Sequence, residues 1–398
     1  MGASGEGRER GCEVARLRGL AVLRFALLHR ETAQPRDRET PCMTDLPATD
    51  IRIDVNAIEK SLSELWRGQQ DGDNAVTRAA LWNVVAHTST SDLHASANET
   101  LGRASAMVPQ RTIVIRSNPA DEAELTSWIS ANCHMIGGGK QVCSEEINIV
   151  AGGDRIHRVP PVVNALLIPD MPVAFWWLGD LPNEHEAYVE LLLESADRLI
   201  VDSVHFDSPA DLALVARIAE QTSTSPADLN WGRLEEWRAA TASIFDPPEM
   251  RGRLGSIRRV RVIAGSSNHE FFGESIESLL YASWLSAQVG HTVDSSGSVE
   301  GSAGAIDYAF ERRFQSTDVG GIALVEISFE DGTVAGITRD RDRGVLVANV
   351  DGSVTVQSVT RTLNQRLDEL IVRQLKRSEG DRVLRRVLPI ALKLAKRL

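Results

Sequence analysis

The stretch PDMPVAFWWLGDLP, Pro169–Pro182, contains a continuous apolar run that ends in two adjacent tryptophans. An apolar run of this length is typical of a strand that is buried on both faces of a parallel sheet. Successive side chains of a strand point to opposite faces, so we expect Trp176 to pack on one side of the sheet and Trp177 on the other. Gly179 and Asp180 follow at the carboxyl end of the strand, where open α/β sheets bind ligands. The stretch therefore predicts a central strand that either fills a core or forms the rim of a crevice.

The segments around this strand alternate between strand-like and helix-like patterns. RTIVIRS, Arg111–Ser117, is rich in β-branched residues, and DRLIVDS is a second buried strand with Asp202 at its end. A helix start follows, with Ser208 as the N-cap and Pro209 at the first helical position. This rhythm predicts an α/β fold in which a mostly parallel sheet has helices on both faces. Asp202 would then lie at the same edge as Asp180, where the two acids either line a cleft or cap turns and helices.

Three further segments are predicted to be helices from their apolar spacing. They are AVTRAALWNVVAHTS (75–89), DEAELTSWISANC (121–133) and DLNWGRLEEWRAATASIFD (228–246). The last is amphipathic and places Trp231 and Trp237 on one face. These two tryptophans are further candidates for a crevice or an interaction surface.

The chain changes character after Asp246–Pro248, where DPP ends the predicted helix. A strand, IRRVRVIAG, opens the second part. One long helix and four strand-like segments follow, and Asp331-Gly332 is a hairpin signal between two of them. Terminal helices complete the chain. We therefore predict an N-terminal α/β domain over 43–248 and a C-terminal α+β domain with an antiparallel sheet over 249–398.

Composition places the chain among soluble globular proteins, with 42% hydrophobic and 25% charged residues in 398. No apolar stretch approaches the roughly 18 residues of a membrane span, and the net charge of −12 argues against nucleic-acid binding by the body of the protein. Four cysteines are too few for a secreted disulfide scaffold, so we expect a cytoplasmic protein. Residues 1–42, with eight arginines, are interpreted as a disordered or mis-annotated extension before Met43.

The C-terminal segment 376–398 is basic, with eight Lys or Arg and two acidic residues. Beside these charges runs an apolar stripe of Val383, Val387, Ile390, Leu394 and Leu398. The stripe indicates contact with the body of the protein or with an acidic partner. An RNA-binding tail and a solvated helix face are the other interpretations.

The chain lacks the motifs that carry common catalytic chemistry. GGGK, Gly137–Lys140, has neither the first glycine nor the hydroxyl residue of a phosphate loop, and no G-x-G-x-x-G follows a predicted strand. H-E-x-x-H, G-x-S-x-G and C-x-x-C are absent, and no histidine has metal-ligand spacing. We therefore expect no catalytic residue, no cofactor and no metal.

Cys133 and Cys143 flank this glycine turn. If a three-residue loop joins two paired strands there, the cysteines lie directly opposite each other, whereas a four-residue loop puts their side chains on opposite faces. A redox pair is one interpretation. Two reduced, half-buried thiols are the favoured one, because cytosolic cysteines are rarely bonded.

Four blocks of sequence resemble the successive signature blocks of the OpcA family. They are GGGKQVCSEEINIVAGG, VNALLIPDMPVAFWWLGDLP, ADRLIVDSVHFD and DLNWGRLEEWRAATASIFD, and their order and spacing match across Arg111–Asp246. The resemblance implies a family-level domain split near residue 168. It also implies redox control through cysteines in photosynthetic members, but no cysteine of this chain lies beyond Cys143, so a C-terminal redox switch is not available.

Members of this family are glucose-6-phosphate dehydrogenase assembly proteins. The resemblance implies a non-catalytic protein that binds this dehydrogenase, helps to assemble its active oligomer and raises its activity in the oxidative pentose phosphate pathway. The absence of catalytic motifs agrees with that function. The alternative is an enzyme or sensor that binds a sugar phosphate or nucleotide in the sheet crevice, with Asp180 and Asp202 as polar groups.

Overall fold

The two tryptophans lie in a central strand of the first of two β-sheets in the computed structural model of this chain. The structure describes residues 42–45, 55–70, 76–136, 140–179, 187–266, 273–314, 321–351, 356–361, 366–377 and 379–397. Within these residues the first sheet has nine strands, which are β1 Cys42–Asp45, β2 Val76–Arg78, β3 Trp82–Thr88, β4 Gln110–Asn118, β5 Leu125–Ile136, β6 Lys140–Gly152, β7 Val173–Trp177, β8 Arg198–Val201 and β9 Ser225–Asp228.

Parallel pairing builds the centre of this sheet. Its strands lie in the order β1-β5-β6-β4-β3-β7-β8-β9, and β2 pairs with β6. Every neighbouring pair from β6 to β9 is parallel, whereas β5 pairs antiparallel with both β6 and β1. The chain order of the parallel strands reverses between β3 and β7, which is the arrangement of dinucleotide-binding α/β folds. The prediction of a mostly parallel first sheet is confirmed.

Helices cover both faces of the first sheet. The described helices are α1 Val55–Gln70, α2 Ser91–Ser105, α3 Val159–Leu166, α4 Ala187–Leu193, α5 Leu212–Gln221, α6 Leu229–Arg233, α7 Glu235–Ile244, α8 Pro248–Arg251, α9 Gly273–Val289, α10 Leu367–Lys376 and α11 Arg382–Leu394. Trp176 is 1% exposed and packs in the cluster that contains Leu101 of α2 and Ile371 of α10. Trp177 is 5% exposed and belongs to the other cluster, with Val163 of α3 and Val215 of α5. The two indoles therefore pack on opposite faces, as the strand period predicts.

One predicted helix, residues 75–89, is wrong, because this segment contributes β2 and β3. β3 is a central strand, and Val84, Val85 and Ala86 are all fully buried between the two helical layers. A strand that is buried on both faces does not alternate, so its apolar pattern cannot be distinguished from that of a short helix.

The predicted helix over 121–133 is also wrong, because most of it belongs to β5. The polar residues of β5 pair with polar residues of β6 across the sheet. The Ser130 hydroxyl donates to Glu146 at 3.0 Å, and the Asn132 amide donates to the same carboxylate at 2.8 Å. Such cross-strand partners are invisible in the sequence of a single strand. The predicted long helix over 228–246 is divided at Leu234 into α6 and α7.

The second sheet is built almost entirely from antiparallel pairs. Its strands lie in the order β11-β12-β13-β10-β14-β15-β16-β17, and of the described pairs only β10 and β13 run parallel. They are β10 Ile257–Ser266, β11 Thr292–Val293, β12 Val299–Gly301, β13 Gly304–Phe314, β14 Gly321–Phe329, β15 Val334–Asp340, β16 Val345–Asp351 and β17 Val356–Arg361. α9 packs on β10 and β14, and α7 packs on β16 and β17. The prediction of a second α+β lobe is confirmed.

The C-terminal helices pack on the body of the protein. Within the apolar stripe of α11, Val387 and Leu394 are buried, and Val383 and Ile390 are partly buried; Leu398 lies outside the described residues. α11 contacts α5 and α9, and the Arg385 guanidinium donates to the Ala219 carbonyl at 2.9 Å. The stripe therefore makes an intramolecular contact.

The domain boundaries stay a prediction. The first sheet uses strands from 42–228 and the second uses strands from 257–361, so the predicted boundary at 248 falls between them. α10 nevertheless returns to the first sheet, where it packs against α2. Residues 1–41 of the predicted extension lie outside the described residues, and Cys42 opens β1.

Replacing the indole of Trp176 tests the central position of β7. We expect Trp176→Ala to lower the free energy of unfolding by about 3–5 kcal/mol, because it removes a fully buried aromatic side chain and leaves a cavity. Chemical denaturation followed by far-UV circular dichroism measures this change. Val359→Ala is the control: Val359 is 52% exposed, so its loss should change stability by less than about 0.5 kcal/mol. A Trp176→Ala protein as stable as the control would contradict the assignment.

Candidate functional site

The carboxyl edge of the parallel strands is the candidate site, because ligands of open α/β sheets bind there. The strand order reverses between β3 and β7, and there His87 of β3 stacks on Trp177 of β7, with ring centroids 4.1 Å apart. The His87 Nε2 atom lies 2.7 Å from the Ser117 hydroxyl of β4. Burial lowers the pKa of His87 to about 3, so its imidazole is neutral at physiological pH.

The turn after β7 closes against the start of α2. Gly179 adopts a φ of +91°, and a Cβ atom added there would lie 3.1 Å from Leu93 of α2. Thr90 caps α2 with its own side chain, which accepts a hydrogen bond from the Leu93 N–H at 3.3 Å. The helix start that binds phosphate in dinucleotide-binding folds is therefore capped by a residue of this chain. Asp180, the next predicted residue, lies outside the described residues.

Asp202, at the end of β8, forms a buried ion pair. Both carboxylate oxygens accept hydrogen bonds from the Arg233 guanidinium of α6, at 2.7 and 2.8 Å. Burial by itself would raise the pKa of Asp202, but the charge and hydrogen bonds of Arg233 hold this pKa below its usual value. A bidentate pair of this kind satisfies the acid internally.

Asp228, at the end of β9, accepts three hydrogen bonds. They come from the Ser203 N–H at 3.0 Å, the Ser203 hydroxyl at 2.7 Å and the Asn230 N–H at 2.9 Å. Burial raises the pKa of Asp228 to about 6, and the nearby charge of Asp202 adds to this effect. The three donors favour the ionised carboxylate and oppose this rise in pKa, but burial outweighs them. Asp228 is the N-cap of α6, because its side chain accepts from the Asn230 N–H.

Glu277 brings α9 into the same cluster of charges. Its buried carboxylate accepts a hydrogen bond from the Ile322 N–H at 3.1 Å, and burial raises its pKa while Arg339 and Arg233 oppose the shift. The charge of Arg233 therefore acts on Asp202, Asp228 and Glu277 together. The cluster brings the ends of β8 and β9 together with the helix that packs on the second sheet. Asp202 pairs with Arg233, whereas Asp228 and Glu277 accept hydrogen bonds from Ser203, Asn230 and the Ile322 N–H.

The four predicted tryptophans are all core residues. Trp176, Trp177, Trp231 and Trp237 are each at most 5% exposed. The Trp231 indole donates to Asp381 at 2.8 Å, and the Arg238 guanidinium lies 3.7 Å above its ring. This burial supports the interpretation of these residues as core filling.

Cys133 and Cys143 are joined in a disulfide, so the favoured expectation of two reduced thiols is not met. The two residues are direct partners in the antiparallel register of β5 and β6. This is the geometry expected of a three-residue loop, whose Gly137–Gly139 lie outside the described residues. The register places the two side chains on the same face, within bonding reach.

Sequence reasoning did not find Arg233, Asp228 or Glu277. Asp228 carried a usable signal, because it ends a strand and precedes a helix, as caps do. The pairing of Arg233 with a residue 31 positions earlier carries no local signal. Within the described residues no group of three or more His, Cys, Asp or Glu side chains could hold a metal ion. No helix of the described residues combines the length and apolarity needed to cross a membrane.

Two family models match consecutive parts of the chain. Residues 102–217 match the OpcA model that describes the N-terminal domain of a glucose-6-phosphate dehydrogenase subunit. Residues 224–388 match the OpcA model that describes the C-terminal domain of the same subunit. Together the two matches extend over more than half of the chain.

Similar proteins include two cyanobacterial relatives, each named "Putative OxPP cycle protein OpcA". The one from Synechocystis sp. is 30% identical over 184 residues, which cover 46% of this chain and 37% of the relative. The one from Synechococcus elongatus is 28% identical over 185 residues, which cover 46% of this chain and 40% of the relative. The chain thus spans less than half of the length of these curated relatives. Among solved structures, a dehydrogenase from Chromobacterium violaceum covers 80% of this chain and 94% of its own, at 10% identity and a TM-score of 0.40.

The raised pKa of Asp228 predicts how stability depends on pH. Between about pH 4 and pH 6 the folded state holds a proton on Asp228 that the unfolded state has released, so stability falls as the pH rises through this range. We expect wild type to lose about 2 kcal/mol relative to Asp228→Asn between pH 4 and pH 7. Denaturation of both proteins at each pH measures the difference. Parallel stability curves would show that Asp228 keeps an ordinary pKa.

Because of the disulfide, we expect the free energy of unfolding to depend on whether a reductant is present. Its two cysteines are 10 residues apart, and closing a loop of that size stabilises the fold by about 2–3 kcal/mol. A thiol reductant should therefore lower the denaturation midpoint of wild type. The double variant Cys133→Ser/Cys143→Ser should unfold at one midpoint with or without reductant. If reductant changed the denaturation midpoints of the two proteins equally, the assignment of the disulfide would be wrong.

Proposed function

Because the chain belongs to the OpcA family, we propose that it is a non-catalytic assembly factor and allosteric activator of glucose-6-phosphate dehydrogenase. The observation that carries this proposal is the match of consecutive parts of the chain, 102–217 and 224–388, to two domains described as parts of a glucose-6-phosphate dehydrogenase subunit. The name shared by the relatives supports a place in the oxidative pentose phosphate cycle.

The geometry of the carboxyl edge supports the absence of catalysis. A general base or nucleophile must reach a substrate. Here the Asp202 carboxylate is held by Arg233 on both oxygens, and the Asp228 carboxylate is held by three donors. Both carboxylates are engaged in contacts that join strands to helices, and this agrees with a protein that acts by binding.

The same contacts do not favour a ligand crevice for sugar phosphates or nucleotides. Its proposed polar group Asp202 is buried and paired. Thr90 caps the helix start that would receive a phosphate. A crevice of that kind needs accessible donors or acceptors at this edge.

Kinetics of the cognate dehydrogenase test the proposal. We expect the purified chain to raise the activity of the dehydrogenase and to change the oligomeric mass of the dehydrogenase in light scattering. We also expect it to shift the KM of the dehydrogenase for glucose 6-phosphate by about fivefold or more, because couplings of this kind are typically about 1–3 kcal/mol. The same chain after thermal unfolding is the control. Unchanged activity, KM and mass would refute the proposal.

Ligand-induced thermal shifts of the chain alone separate this function from its alternative. Specific binding to the folded state raises the melting temperature by mass action. We expect glucose 6-phosphate and NADP to leave the melting temperature unchanged. A saturable rise with either compound, together with no effect on the dehydrogenase, would favour the crevice instead.

A further inference from the structure

We draw no further inference here: the strongest candidate, the surface patch of Leu324, Thr338 and Val347, which lie in one row across β14, β15 and β16 of the second sheet, carries no proposal, because nothing in the described part of the chain shows what covers it.

Discussion

The requirement that a central parallel strand be covered on both faces organises this fold. β7 has no polar residue, so each of its faces must be buried by a helical layer. The layer over Trp176 is made by α2 and by α10, which comes nearly 200 residues later in the chain. The core of the first sheet is therefore incomplete without the C-terminal segment. α11 belongs to the other cluster, where its apolar side chains pack on α5 and α9, although the composition of this segment also suits a free basic tail.

The same requirement decides which elements can be predicted from sequence. The continuous apolar run of β7 is long and bounded by proline and glycine, and it predicts a buried strand correctly. β3 lies beside β7 and is equally buried. Ala79 and Ala80 precede it, and alanine favours helices, so the prediction of a helix over 75–89 is wrong. β5 is misread for a different reason: Ser130 and Asn132 find their partner, Glu146, on another strand. Local pattern identifies a buried strand when proline and glycine mark its ends, as in β7. It fails where helix-forming residues precede the strand, as in β3, and where polar residues find their partners on another strand, as in β5.

The polar groups at the carboxyl edge show the same limit. The sequence places Asp202 at the end of a strand, and the structure agrees. It gives no sign that Arg233 neutralises Asp202, or that this pairing draws Asp228 and Glu277 into one buried cluster. A buried ion pair adds little net stability, because the desolvation cost offsets the attraction. Its contribution here is geometric, since it ties α6 to the end of β8.

A fold with the strand order of dinucleotide-binding proteins thus commits Asp202 and Asp228, at the carboxyl edge of its sheet, to internal contacts. Asn83 links the first sheet to the loop that precedes β7. It is a residue of the central strand β3, and its side chain holds a loop 85 residues away in the sequence. The order of the sheet is in this way passed to the loop that carries Ile168 and Met171. The conformational entropy of this loop is therefore lost when the sheet folds.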